Sequence, residues 1–383
     1  MNAISRSSMA LESVDRRLEH RCLFLPAAFV LMPGTFPHPA PPPALSAAHR
    51  PRSVAASRPS RGPLGCILLG GARHNETQPN GTQSAVARGA WFKLLEGQAL
   101  PPEQKQKVDD AVPAKAVAKP RRPRRLLVSS LVMRDGHPWR GSSYATNPSA
   151  NYAIGEMGKR TGAYEAVFSD DIEMFRADRI KQFDAVCFLN TGGVLFEDPE
   201  LKKSLLAFIA GGKGFVGIHD AIATFVQYPK YDQWPPFGQM LGATENGGHP
   251  WDGESMTVKV EDPTSPLNAV FRGEDFQIAD QAFQFQEPNL RDHLHVLLSI
   301  DVEKTGFSPK HRILAVRMAD KDFPVTWIRA YEKGRVFYCS LGHGAPVFWN
   351  APLLEHFLAG IQYALGDLKA DSTPSADLPA AKK

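Results

Sequence analysis

From Leu126 onward, apolar residues fall into short runs separated by amphipathic stretches, and the spacing predicts alternating strands and helices. Leu126–Val132 is a continuous apolar run of the kind buried on both faces of a parallel sheet. Asn147-Pro148 opens a helix, with Asn as N-cap and Pro in the first turn, and Gly162 is placed to end it. Tyr164–Ser169 reads as a second strand, Ala177–Gln182 as a short helix and Asp184–Asn190 as a third strand. The amphipathic run Asp198–Ala210 stops at Gly211-Gly212 and leads into a fourth strand, Gly214–Ile218. This alternation predicts a doubly wound, mainly parallel α/β sheet.

After Ala221 the pattern turns β-rich. Strands are expected at Ser255–Glu261, His295–Ile300, Ile313–Met318, Val325–Tyr331 and Arg335–Leu341, with a closing helix over Pro352–Leu365. No internal repeat is present, so residues 125–368 are expected to form one domain. Residues 1–124 are expected to be a largely unstructured leader with a short helix around Trp91–Leu95, and residues 369–383 a disordered tail.

Charge and composition separate the same regions. Residues 1–125 carry 19 Lys and Arg against 8 Asp and Glu, and 16 of the 32 prolines; the remainder carries 25 basic against 32 acidic residues. The net charge of +4 therefore comes from the leader. Its basic run Lys115–Arg125 has no accompanying aromatic or groove-reading motif, so it reads as a solvated linker, and no nucleic-acid partner is expected. Cys22–Met32 is an apolar run preceded by Arg16, Arg17 and Arg21 and followed by small residues at Ala44–Ala48. If residues 22–48 act as a signal segment the protein is periplasmic or secreted; otherwise it is cytoplasmic. The run is too short to span a bilayer as a helix. Cys22, Cys66, Cys187 and Cys339 show no CxxC spacing or disulfide framework.

The candidate chemistry lies at strand ends. Gly214-Phe-Val-Gly-Ile-His219-Asp-Ala221 is a strand that stops on a histidine and turns at once into a helix-like run. Such an elbow exposes a residue on the carboxyl rim of an α/β sheet, where ligands bind. His137 follows the first strand and His343 the last, so parallel topology sends both to the same rim. His249, in Gly247-Gly-His-Pro250, and Asp280 complete the candidate catalytic set. Imidazoles with one carboxylate suit acid/base work near neutral pH. The same set could ligate a divalent metal such as zinc, although no HExxH or other close ligand spacing is present. His293, His295, His311 and His356 lie in strand or helix contexts without convergence. Thr191-Gly-Gly193 is neither a dinucleotide motif nor a P-loop, and Gly211-Gly-Lys-Gly214 precedes a strand.

Taken in order, these pieces resemble the ThuA-like, trehalose-utilisation family, an offshoot of the class I glutamine amidotransferase-like, flavodoxin-like fold. The resemblance rests on the histidine loop after the first strand, the elbow at 214–221, Gly248-His-Pro250, Val258–Pro263 and Asp280. It continues through Pro324–Tyr331, Lys333-Gly-Arg335 and Ser340-Leu-Gly-His343. Where the amidotransferase parent presents a nucleophilic cysteine at the elbow, this chain has His219, so glutamine hydrolysis through a thioester is not expected. The resemblance implies a role in carbohydrate catabolism on an oxidised, 3-keto disaccharide or glycoside supplied by a partner sugar dehydrogenase. His219 would be base or carbonyl contact, His137 and His343 would flank it, and His249 and Asp280 would serve as acid or orienter. Trp139, Trp234 and Trp251 are candidates for stacking on sugar faces. The rival expectation is a non-catalytic carbohydrate-binding or interaction domain on the same fold, which would use the tryptophans and tolerate loss of His219. Homo-oligomerisation stays open.

Overall fold

The computed structural model describes residues 99–227 and 230–379. Its centre is a nine-stranded sheet. In chain order the strands are β1 (Arg125–Ser129), β2 (Glu165–Phe168), β3 (Ala185–Leu189), β4 (Gly214–Ile218) and β5 (Trp251–Val260), then β6 (Phe276–Ala282), β7 (His295–Ile300), β8 (Pro324–Tyr331) and β9 (Gly334–Cys339). Their spatial order is β6-β5-β7-β8-β9-β4-β3-β1-β2. The pairings β2–β1, β1–β3, β3–β4 and β4–β9 are parallel, and every pairing from β9 outward to β6 is antiparallel. The mixed α/β architecture expected from the spacing is present, with the β-rich half added to one side of the parallel strands.

Alternation along the central strands explains why both faces are covered. Leu126, Val128, Ala185, Cys187, Leu189, Val216 and Ile218 join one apolar cluster with α2 (Asn147–Thr161) and α5 (Ala351–Leu365). Their neighbours Leu127, Val186, Phe188 and Phe215 join the other cluster with α3 (Pro199–Ala210) and α4 (Pro235–Leu241). A period of two, with both faces apolar, leaves a strand no solvent side and puts helices on each face. Asp198 caps α3 by accepting the Glu200 N–H at 2.8 Å. Gly162, at φ +66°, ends α2 as expected.

Five expectations need correction. Ile313–Met318 is not a strand; Ala315–Asp320 is a short helix whose Arg317 is fully buried, donating to the carbonyls of Asp322 at 2.7 Å and Glu287 at 2.9 Å. β6 is an addition to the expected strands, because its burial alternates only in its first half and its register shifts between Ala279 and Gln281. The leader is not unstructured throughout: α1 (Pro102–Ala111) inserts Val108 and is followed by Val112 in the core. The basic run after it is no solvated linker either. Ala118 exchanges two hydrogen bonds with the Gln362 amide at 3.0 and 2.6 Å, Arg122 pairs with Asp184, and Arg124 grips Asp367 at 2.6 and 2.9 Å. The tail, too, is docked. Ser375 Oγ accepts the Val296 N–H at 2.8 Å, the Ser375 N–H donates to Leu294 O at 2.9 Å, and the Thr373 carbonyl accepts from His295 Nδ1 at 2.7 Å. Both segments are held by polar bonds to buried partners, which hydrophobic spacing does not register. Trp91–Leu95 lies outside the described residues. Among the described residues, no helix is long and apolar enough to cross a membrane.

The docking of residues 102–118 can be tested at Gln362, which is fully buried. Gln362→Leu leaves the Ala118 N–H and C=O without their partner, and each such unpaired group costs about 1–3 kcal/mol. Chemical denaturation should show a loss of that order, with faster proteolysis before residue 125. An unchanged unfolding midpoint and cleavage pattern would mean that the segment is not anchored there.

Candidate active site

Parallel strands deliver their carboxyl ends to one rim, and β1 is the point where the strand order reverses, since β2 lies on one side of it and β3 on the other. A crevice is expected outside such a switch point. A cavity of about 700 Å3 is found there. Val132 and Met133 beyond β1, Gly192 and Gly193 beyond β3, and Asp220 and Ala223 beyond β4 form one side. His249 and Phe283 reach in from the β-rich half.

At the end of β4 the backbone turns sharply on His219, which has φ +52°. A left-handed non-glycine residue is uncommon and costs on the order of 1–3 kcal/mol. The turn is held from three directions. His219 Nδ1 lies 2.7 Å from the Ser340 carbonyl, an oxygen that can only accept, so Nδ1 carries the proton. The Tyr338 hydroxyl donates to the His219 carbonyl at 2.9 Å. Gly342, at φ +140°, lets the loop after β9 approach, because a Cβ there would stand 3.1 Å from His219 Cβ. Asn190 and Phe225, at the neighbouring strand end and turn, also have positive φ.

Four of the five expected residues lie in or beside the site. His219 is fully buried, with its ring 5.3 Å from the His343 ring and 5.1 Å from the Phe283 ring. Asp280, at the irregularity of β6, accepts the Gly342 N–H with one oxygen and the Gly344 N–H with the other, both at 2.7 Å. Its carboxylate therefore positions the loop that carries His343. The His343 carbonyl accepts from Thr146 Oγ1 at 2.6 Å. His249 stands on a turn fixed by the buried Glu245, which accepts the Gly248 N–H at 3.0 Å, and its ring lies 4.4 Å from Phe283. Burial, and then the nearby His219, push the His249 pKa down to about 4, so the ring is neutral at pH 7. Its Nδ1 is buried without a hydrogen-bond partner.

His137 is not brought to the others. It sits exposed on the two-stranded ribbon Met133–Arg134/His137–Pro138, while Arg134, Asp135 and Gly136 of that ribbon line the cavity. Of the three tryptophans, Trp139 lines the cavity and is 46% exposed, with the Arg134 guanidinium 4.9 Å from its ring. Trp251 is buried and donates to the Gly306 carbonyl, so it offers no free face for a sugar, while the half-buried Trp234 packs on Phe225 and does not line the cavity. Among the described residues, no three His, Cys, Asp or Glu side chains gather as a metal site, so the zinc reading finds no ligand set there.

Two further groups were not singled out in the sequence. Asp220 lines the cavity, with Oδ1 3.2 Å from His219 Nε2, and its Oδ2 accepts the Ser143 hydroxyl at 2.7 Å. Ser143 Oγ is also 3.5 Å from His343 Nδ1. The signal for Asp220 was its place directly after the elbow histidine. Ser143, 77 positions away, offered none.

A sequence model of the ThuA family, described as trehalose utilisation, matches residues 134–364. No curated protein matches the chain significantly. Among solved structures, a ThuA-like protein of Bacteroides uniformis superposes with a TM-score of 0.51 at 18% identity, covering 68% of this chain and 98% of that one. A ThuA-like protein of Parabacteroides merdae gives a TM-score of 0.43 at 15% identity, covering 65% and 93%.

The lowered His249 pKa has a signed consequence for stability. Its folded value, about 4, lies below the ordinary 6.5, so between these pH values the unfolded chain binds the extra proton. The contribution is complete above about pH 6.5 and is lost as pH falls towards 4. His356, buried and likewise lowered to about 4, acts in the same sense, whereas the raised carboxyls of Asp170 and Glu287 act oppositely. His249→Gln should therefore show a shallower fall in unfolding free energy from pH 7 to pH 4.5 than the unsubstituted protein. Parallel curves would refute the lowered value.

Proposed function

The chain belongs to the ThuA, trehalose-utilisation family, and from that premise we propose that it is an enzyme of carbohydrate catabolism that opens a 3-keto disaccharide or glycoside by acid/base chemistry in the rim cavity. The observation that carries this reading is the cavity itself, where a carboxylate and an imidazole face a common space beside an exposed indole. A volume of about 700 Å3 suits a disaccharide-sized ligand. The Trp139 face offers apolar area for the C–H side of a pyranose, over a floor opened by Gly192 and Gly193.

The chemistry follows from the substrate's oxidation state. A ketone at C3 acidifies the proton on C2. Removing it gives an enolate, which can expel the C1 substituent, and water then adds across the resulting enone; the sum is hydrolysis with one water consumed. No oxocarbenium ion is needed, so the paired carboxylates of an ordinary glycosidase are not required. His249, neutral at pH 7, can offer an N–H to the ketone oxygen without transferring it, an electrophile's role. A thioester route is disfavoured, because both described cysteines are buried at 0% exposure and burial pushes the Cys339 thiol up to about 12 and that of Cys187 higher still. The strand order β2-β1-β3-β4-β9 in the parallel half is what favours kinship with the class I amidotransferase-like, flavodoxin-like group. A sugar dehydrogenase would have to supply the ketone.

Incubating the purified protein with 3-keto-trehalose and a 3-keto-glucoside, and following free sugar by NMR, tests the reading. Release from a keto-sugar and none from unoxidised trehalose is the expected result. Binding without release from either keto-sugar would favour a carbohydrate-binding domain, and equal hydrolysis of unoxidised trehalose would overturn the keto-sugar chemistry.

A further inference from the structure

We propose that Asp220, not the elbow residue His219, is the catalytic base that touches the substrate; the assignment rests on the keto-sugar reading above and assigns its central role. The elbow histidine is the residue the sequence points to, yet its side chain has no exposure, whereas the Asp220 side chain is 16% exposed and lines the cavity. The His219 ring is committed elsewhere, with Nδ1 on the Ser340 carbonyl and the ring packed beside Phe283 and His343. What it does for the site is to stand behind Asp220, with Nε2 3.2 Å from Oδ1. Ser143 holds the other oxygen at 2.7 Å. A carboxylate backed by a ring on one oxygen and a hydroxyl on the other, with its remaining surface facing a cavity, is an oriented base. His249 enters the same cavity from the β-rich half.

The step balances on this one carboxylate. The C2–H bond breaks and its proton passes to Asp220, while the bonding pair forms the C2=C3 enolate with charge on the C3 oxygen. The enolate collapses to re-form the ketone and a C1=C2 double bond. The C1–O bond breaks with its electron pair on the leaving oxygen, which takes the proton back from Asp220. Water then adds at C1, giving its proton to Asp220, which returns it to C2. No oxidant, reductant or further acid is consumed. The other charged groups of the cavity, Arg134, Asp135 and Glu197, lie on the ribbon and on the loop after β3. The Asp135 and Glu197 side chains are exposed, whereas Asp220 is held in place by the Ser143 hydroxyl.

The test is solvent-deuterium exchange at C2 of a 3-keto-glucoside in D2O, read by proton NMR with the full chain, beside sugar release and calorimetric binding. Asp220→Asn should slow exchange and release together by about 10²–10⁴-fold while binding and the unfolding midpoint hold, the range a positioned base supplies. His219→Gln should lose about tenfold or less, as a positioning residue. Asp220→Ala, with its larger space, should recover exchange on addition of formate, a rescue that a merely structural role would not give. Asp220→Asn retaining more than about a tenth of the exchange rate, or His219→Gln falling as far as Asp220→Asn with binding intact, would overturn the assignment. If the unsubstituted protein gives neither exchange nor release, the keto-sugar reading fails and takes the assignment with it; exchange and release that survive the loss of Asp220 sink the assignment alone.

Discussion

The hydrogen bond from His219 Nδ1 to the Ser340 carbonyl joins the ends of β4 and β9, and the rim is arranged around it. It shares with the Tyr338 hydroxyl and the close approach of Gly342 the holding of a left-handed residue at the end of β4 against the cost of its backbone. With it, the chain leaves the sheet sharply enough to bring Asp220 to the cavity, and the loop after β9 returns close enough to place His343 beside the elbow. The bond is itself supported from the antiparallel half. Asp280 in β6 accepts the Gly342 and Gly344 N–H groups, and Ser340 Oγ accepts the Phe283 N–H at 3.1 Å. A fold extended by antiparallel strands thus stabilises a turn made by parallel ones.

That dependence explains what the sequence could and could not disclose. The parallel strands are legible because short continuous apolar runs alternate with amphipathic stretches and glycine breaks, and among the antiparallel ones His295–Ile300 agrees to the residue. β6 is not, since its Asp280 sits at a register shift and serves a loop more than 60 positions away. The run at 313–318 resembles a strand because an apolar run so short has no period long enough to distinguish the two forms. Arg317 shows the difference, since its burial is made tolerable by the Asp320 carboxylate one helical turn on, at 2.8 Å, and by carbonyls that only the folded chain supplies. The leader and tail escape the pattern for a related reason: Gln362, Asp184, Asp367 and Ser375 hold polar segments by hydrogen bonds, and composition alone reads such segments as solvated.

The candidate site is legible in part. Strand ends and the elbow point to the rim that holds the cavity, and His219, His249, Asp280 and His343 lie in or beside it. Their roles shift once depth is known. His219 is behind the cavity wall, Asp280 supports a loop, and His137 stays on the exposed ribbon. At the elbow the group with access is Asp220, which the sequence offers only as the residue after the histidine. Position along a chain locates a rim, but exposure decides which of its residues a ligand can meet.

The most direct test of this account is a crystal structure of the Asp220→Asn protein with a 3-keto-glucoside. The account predicts the sugar in the cavity between Trp139 and His249, with C2 about 3–3.5 Å from the substituted side chain at position 220, a reacting distance, and the C3 oxygen turned towards His249. A sugar bound with C2 turned away from that side chain, or bound elsewhere on the protein while this cavity stays empty, would contradict it.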